Sequence, residues 1–381
     1  MTDGSTLTPG WTAGYWMNET MSTSDPLHRA SDSRYRWPAE WEPHEATWIS
    51  WPHNRSDWPG KFEAIPWVYG DIVTKLTPGE KVRVLVQSKA HQLLARDVLT
   101  RCGADFSRIA FWTIETDRSW IRDYGTFFLV PDPEGSSDQL RVVDFQFSGW
   151  AQYPDWQRDN RVTIQIARQL NAPVVRPVHQ DRPVVLEGGA VDTNGQGTLI
   201  ATEACLLNTT HQIRNPGTGR REMETLLKTY LDIDQVLWLP HALEGDDTNG
   251  HIDDLCRFID PHTVVACRGH DPDDSNYGKL EENWDQLQDR RLENGKKLHV
   301  IALPCPNSIV FENTCLPASY ANFYIGNTVV LVPTFNDPMD RVALETVAAL
   351  FPGRSTVGIH ALDLLWGLGT LHCMTHQQPA L

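Results

Sequence analysis

The sequence predicts an α/β fold in which five similar units form a ring around a central axis. Three observations carry this. Helix-like stretches alternate with short β-branched runs, the alternation recurs at roughly 60 residues, and polar clusters recur at nearly the same period where strands would end.

Residues 1–34 are rich in Ser, Thr, Gly and Asp without periodicity and are expected to form a flexible tail, leaving 35–381 as a single domain. Order is expected to begin at RWPAEWEPHEATWISWPHN, where Trp37, Trp41, Trp48 and Trp51 crowd together. Helices are expected near 89–101, 156–170, 220–231, 278–294 and 338–351; in the last, Leu344, Val347, Ala348 and Phe351 fall at i, i+3, i+4 and i+7. The runs VRVLVQ, RVVDFQF, GTLIATEACLLN, HTVVAC and TVVLVPTF read as strands between them. The competing reading is a doubly wound sheet, but no glycine-rich phosphate loop follows a first strand.

Composition narrows the function classes. Of 381 residues, 40% are hydrophobic and 22% charged, a balance that can bury a sizeable core. The net charge of −16 repels nucleic acid and anionic membranes and favours cationic ligands. No stretch approaches the ~20 apolar residues that span a bilayer, and no basic n-region precedes an apolar h-region. The seven cysteines are odd in number and form no C-x-x-C pair, which points to reduced thiols and a cytoplasmic chain. Cys205 and Cys267 lie in apolar runs and read as buried core residues.

Four polar clusters stand out: TDRSWIRDYG (116–125), VVLEGGAVD (184–192), LEGDDTNGHIDD (243–254) and GLGTLHCMTHQQP (367–379). Their central members are Asp123, Glu187, His251 and Cys373, and the first three are 64 residues apart at each step (123 to 187 to 251). Equivalent positions in a ring would face one pocket. On a strand, His251 and Asp253 would share a face, whereas His372 would point away from Cys373 and is not expected to act as its base. An EF-hand fails, because placing Gly250 at the sixth loop position puts Gly245 at the first and Cys256 at the twelfth. A papain-like reading of Cys373 with His251 lacks that family's local signature. Trp120, beside two carboxylates, could offer an indole face to a planar cation.

Taken together, WEPHEATWISWP, SWIRDYG, LEGGAVDTNGQGTLIATEACLLN, DDTNGHIDDLCRF, LPASYANFYIGNTVVLVP and LHCMTHQQP resemble the agmatine deiminase family. That family lies within the guanidino-group-modifying superfamily, which includes the bacterial peptidyl-arginine deiminases. The resemblance runs from about residue 35 to the C-terminus, and it implies a five-bladed α/β propeller. It further implies that Cys373 is the nucleophile, that Asp123 and Asp253 grip the guanidinium, and that Trp120 packs beside its plane. His251 would be the general acid and base, oriented by Glu187. Asn322 falls in a family pocket segment. No metal or cofactor is implied, and a homo-oligomer of at least two chains is. Two positions depart from the pattern: Leu368 and Thr370 interrupt a glycine run before Cys373, and Asp254 stands where the family has Asn.

The implied partner is a small cationic guanidino compound. The stretch 144–157 contains no Lys or Arg to meet a substrate carboxylate, and Asp247 could meet a terminal ammonium. Agmatine is therefore the expected substrate. The alternatives are another guanidino compound, including peptidyl-arginine, an amidino transfer, or guanidine binding without turnover.

Overall fold

The computed structural model describes residues 35–132 and 139–381, so the expectation for 1–34 lies outside the described residues. Five principal sheets follow one plan: two antiparallel strands, then a helix that returns the chain to a third, parallel strand. Parallel strands cannot be joined by a tight turn and need such a crossover. Phe127–Pro131 pairs antiparallel with Arg141–Val143, and helix Val162–Leu170 leads to Val174–Val175. Val191–Thr193 and Thr198–Thr202 are followed by helix Arg220–Leu231 and Gln235–Leu239. Cys256–Asp260 and Thr263–Arg268 are followed by Tyr277–Leu287 and His299–Pro304. Tyr324–Ile325 and Val329–Thr334 are followed by Met339–Leu350 and Ser355–His360.

The remaining sheet draws on both ends of the described chain. Thr375–Pro379 pairs antiparallel with His44–Ser50, which continues in parallel to Lys81–Val86 and Ile109–Thr113 through helices Ile65–Leu76 and Lys89–Arg101. The second strand of each sheet is buried on both faces, as Thr198–Thr202 and Val329–Thr334 show. This explains why these strands read as continuous apolar runs rather than as alternating ones.

The predicted helices at 89–101 and 220–231 carry the same bounds in the structure. The one expected over 156–170 begins as an α-helix only at Val162, after a 3₁₀ turn at Asp159–Arg161, and ends on Asn171 in the left-handed region (φ 53°). Ile65–Leu76 lies outside the expected helices; Pro66, Gly70 and several β-branched and aromatic residues give it low intrinsic helix propensity. Pro66 is in the first turn, where its missing N–H costs nothing, and six residues on one face are buried. GTLIATEACLLN splits into a strand and a short helix, Glu203–Leu206, so Cys205 is helical, though buried as expected. Trp48 and Trp51 are buried in the main core. Among the described residues, no helix is long and apolar enough to cross a membrane.

Candidate functional site

The candidate residues lie on the short segments that enter the antiparallel pairs, one segment per sheet. Asp123 is on the helical turn Ile121–Tyr124, and Glu187 immediately precedes the turn Gly188–Ala190. His251 and Asp253 flank the start of the 3₁₀ turn Ile252–Asp254. Asn322 precedes Tyr324–Ile325, and Cys373 precedes Thr375–Pro379. The expectation that His251 and Asp253 share one face of a strand is therefore corrected: the strand begins only at Cys256. The 3₁₀ turn nonetheless brings both side chains to one place. The fixed point is Gly189, whose N–H donates to Asp123 Oδ1 (3.0 Å). A Cβ on Gly189 would lie 2.6 Å from His251 Nδ1, 2.8 Å from Asp123 Oδ1 and 3.1 Å from Asp253 Oδ2. All three groups are nearly fully buried.

Cys373 adjoins this cluster, its Sγ 3.8 Å from Asp253 Oδ2 and 3.2 Å from the Asn322 Nδ2 donor. Burial, followed by the charges of Asp253, Asp254 and Asp123, pushes the Cys373 thiol well above its ordinary range. Asp253 moves the other way. Burial works to raise it, but the hydrogen bond and charge of His372, with His251 and Arg257, hold it below the usual carboxylate range.

His372 is the main residue that sequence reasoning left without a role. Its Nδ1 meets Asp253 Oδ2 at 2.7 Å and its Nε2 meets Glu40 Oε2 at 2.8 Å. The expectation that His372 and Cys373 face opposite sides of a strand is corrected: both lie in the turn before Thr375–Pro379 and both reach Asp253 Oδ2, though His372 makes no hydrogen bond with the Cys373 sulfur among the described residues. Glu40 is itself a hub. It pairs with Arg122 (3.0 Å) and Arg257 (2.9 Å) and accepts from the Ile325 N–H (2.9 Å). The only sequence signal for it was its place in the WPAEWEPHE stretch.

Asp123 and Asp247 are linked by two aromatic residues from the 144–157 stretch. Trp150 Nε1 donates to Asp123 Oδ2 (2.9 Å), Tyr153 packs edge-on against Trp150 at 5.6 Å, and the Tyr153 hydroxyl donates to Asp247 Oδ2 (2.7 Å). Burial is the main cause that brings both carboxyls up to about 6. Arg118 stacks over Tyr153 at 4.3 Å, a cation that the count of basic residues in 144–157 could not reveal. Its guanidinium is already held by Asp57 (2.7 Å) and Asp155 (2.8 Å). Trp120 lies under the glycine approach to Cys373: a Cβ on Gly369 would meet its ring at 2.9 Å and the Cys373 Cβ at 3.2 Å. Leu368 between those glycines is left-handed (φ 67°), a conformation that disfavours a branched side chain.

Glu187 is fully buried, with its Oε1 accepting from Arg214 Nε at 3.1 Å. Its Oε2 and His251 Nε2 have no hydrogen-bond partner among the described residues. With Cys205 they are the one group of at least three such side chains, among the described residues, whose donor atoms fall within 4.8 Å of one another in a way that could hold a metal ion. Burial lowers the His251 imidazole, but Asp123, Cys205 and Asp253 outweigh it and hold it well above its ordinary value.

This arrangement has relatives. The model of the Porphyromonas-type peptidyl-arginine deiminase family matches residues 36–379. The chain belongs to that family. An agmatine deiminase of Stutzerimonas stutzeri is 33% identical over 369 residues, 91% of this chain and 96% of the relative. One from Pseudomonas aeruginosa is 32% identical, covering 94% and 99%. Among solved structures, the agmatine deiminase of Enterococcus faecalis has a TM-score of 0.83 at 28% identity, covering 94% and 98%. A putative arginine deiminase of Porphyromonas gingivalis has 0.79 at 32%, covering 91% and 98%. The mixed α/β fold is thus shared with this family's solved members.

Proposed function

We propose that the chain hydrolyses a guanidinium group, with agmatine and water giving N-carbamoylputrescine and ammonia. The observation that carries this is the convergence of Asp123, Asp253 and His251 above Gly189, with the Cys373 sulfur alongside. Asp253 Oδ1 is buried there with no hydrogen-bond partner among the described residues, an acceptor suited to a guanidinium N–H. The relatives called agmatine deiminase support the same reading.

In the proposed reaction, Asp123 and Asp253 hold the guanidinium and its charge offsets theirs, which lowers the cost of ionising Cys373. The thiolate attacks the guanidinium carbon. His251 gives a proton to the departing ammonia and leaves an S-alkylthiouronium on Cys373. His251 then takes a proton from water as the oxygen adds, and the thiolate is expelled with the ureido product. Glu187 makes no hydrogen bond to His251 among the described residues but lies within 4.8 Å of it, and it acts through the charge that it and Arg214 present to the imidazole. Arg118, its two terminal nitrogens already paired with Asp57 and Asp155, offers little to a substrate carboxylate, whereas Asp247 with Tyr153 suits an amine tail.

The five sheets, each giving one entry segment to the site, support a five-bladed propeller with the site on its axis. All seven cysteines are free, which supports a reducing, cytoplasmic setting. The test is an assay of agmatine, arginine, guanidinobutyrate and a C-terminal arginyl peptide for ureido product and ammonia. Agmatine should turn over best, with a covalent adduct on Cys373 in quenched enzyme. Full turnover by Cys373→Ala would sink the mechanism, and preference for the arginyl peptide would sink the substrate.

A further inference from the structure

Thr370 and Asp254, the positions where a glycine and an Asn were expected, play no part in the reaction above. The structure brings them to opposite ends of one side chain. The Thr370 hydroxyl donates to Asn322 Oδ1 at 2.7 Å, and Asn322 Nδ2 donates to Asp254 Oδ1 at 3.0 Å. The second Nδ2 hydrogen is directed at Cys373 Sγ, 3.2 Å away. Asn322 Oδ1 also accepts the His372 backbone N–H at 3.0 Å. All these side chains are more than nine-tenths buried.

An amide can be turned end for end at little cost in shape, so its neighbours must decide which end faces which way. Here they do. In the opposite orientation the NH₂ would face the His372 N–H, which can only donate, and the carbonyl oxygen would face Asp254 and the sulfur. Two donors would oppose each other, and a buried acceptor would sit against a developing thiolate. We propose that Thr370 and Asp254 are positioning residues that hold the Asn322 amide, in the orientation the His372 N–H dictates, with one N–H on the Cys373 sulfur. This rests on the reading of Cys373 as the nucleophile. Asp254 can accept from the Asn322 amide in either ionisation state: burial, then Asp253 and Asp246, hold its carboxyl well above the usual range, and a protonated acid still accepts through its carbonyl oxygen. Its backbone is tied down as well, the carbonyl accepting from the Ser319 hydroxyl at 2.7 Å.

The readout is the pH dependence of Cys373 alkylation, located by peptide mapping because six other thiols are present. The acidic groups acting on Cys373 are Asp253, Asp254 and Asp123, and the Tyr69 phenol also interacts with it. Thr370→Val keeps the shape and removes the hydroxyl, and Thr370→Ser restores it. Thr370→Val should move the alkylation midpoint up by about one pH unit and lower kcat about tenfold at fixed pH, with KM little changed. Thr370→Ser should recover both. Asp254→Asn, which keeps an acceptor, should lie close to the parent, whereas Asp254→Leu should behave like Thr370→Val. In the Asn322→Ala background, Thr370→Val should add little, since both act through one amide. An unmoved alkylation profile in folded Thr370→Val overturns the proposal, as does equal damage from Val and Ser. Failure of the nucleophile reading is separate, because it appears as turnover in Cys373→Ala.

Discussion

His372 joins Asp253 to Glu40, with one ring nitrogen on each carboxylate at 2.7 and 2.8 Å. Against burial, both carboxyls are held below their usual range, Asp253 chiefly by the hydrogen bond and charge of His372 and Glu40 chiefly by Arg257 and then His372. Asp253 therefore stays a carboxylate in a site where burial alone would protonate it. In His372→Gln the burial cost is no longer offset, and the pH below which kcat/KM falls should move upward. An unchanged acid limb would show that His372 is only packing.

Asp123 should set that acid limb in the unmodified protein. With its carboxyl at about 6 from burial, protonation as pH falls through that value removes one of the two charges proposed to bind guanidinium. The Trp150 N–H favours the ionised form, so Trp150→Phe should shift the limb upward, and a pH series of kcat/KM checks the direction.

Cys373 should alkylate slowly at neutral pH in the free protein, because burial and three carboxyl groups oppose its ionisation. Guanidinium ion seated between Asp123 and Asp253 should lower the pH at which alkylation sets in, after correction for simple blocking at saturation. The reverse shift would contradict the proposed role of the two aspartates.

Gly189→Ala would place a methyl within 3.1 Å of three polar groups at once. Activity should fall at least about a hundredfold, since displacements of this size near reacting groups carry losses of that order. Normal kcat/KM in a folded variant would mean that the substrate does not occupy this point.

Tyr153→Phe and Asp247→Asn should raise the KM for agmatine about tenfold while leaving kcat within a few-fold, the pattern of a contact to a non-reacting tail. Guanidinobutyrate should be less affected than agmatine. Equal losses on both substrates would remove Asp247 from the tail site.

Much of the site was legible because the five-part repeat places its residues. The 64-residue steps from Asp123 to Glu187 to His251 reflect one helical crossover per sheet, and the β-branched runs mark the doubly buried second strands. What was not legible depends on partners distant in the chain. Glu40, Arg257 and His372 each look like an ordinary polar residue until the fold brings them into contact. The helix Ile65–Leu76 was hidden by residues with poor intrinsic helix propensity, which tertiary burial overrides. Glu187 and His251 proved near neighbours without a direct hydrogen bond, a distinction that spacing cannot make.

The pairing of Thr375–Pro379 with His44–Ser50 also bears on synthesis of the protein. During translation, His372 follows Glu40 by 332 residues, so Glu40 and Arg257 wait for the imidazole that completes their network. Sheets formed from nearby segments can fold on the ribosome, but the cysteine and its supports come together only after residue 379 has cleared the exit tunnel.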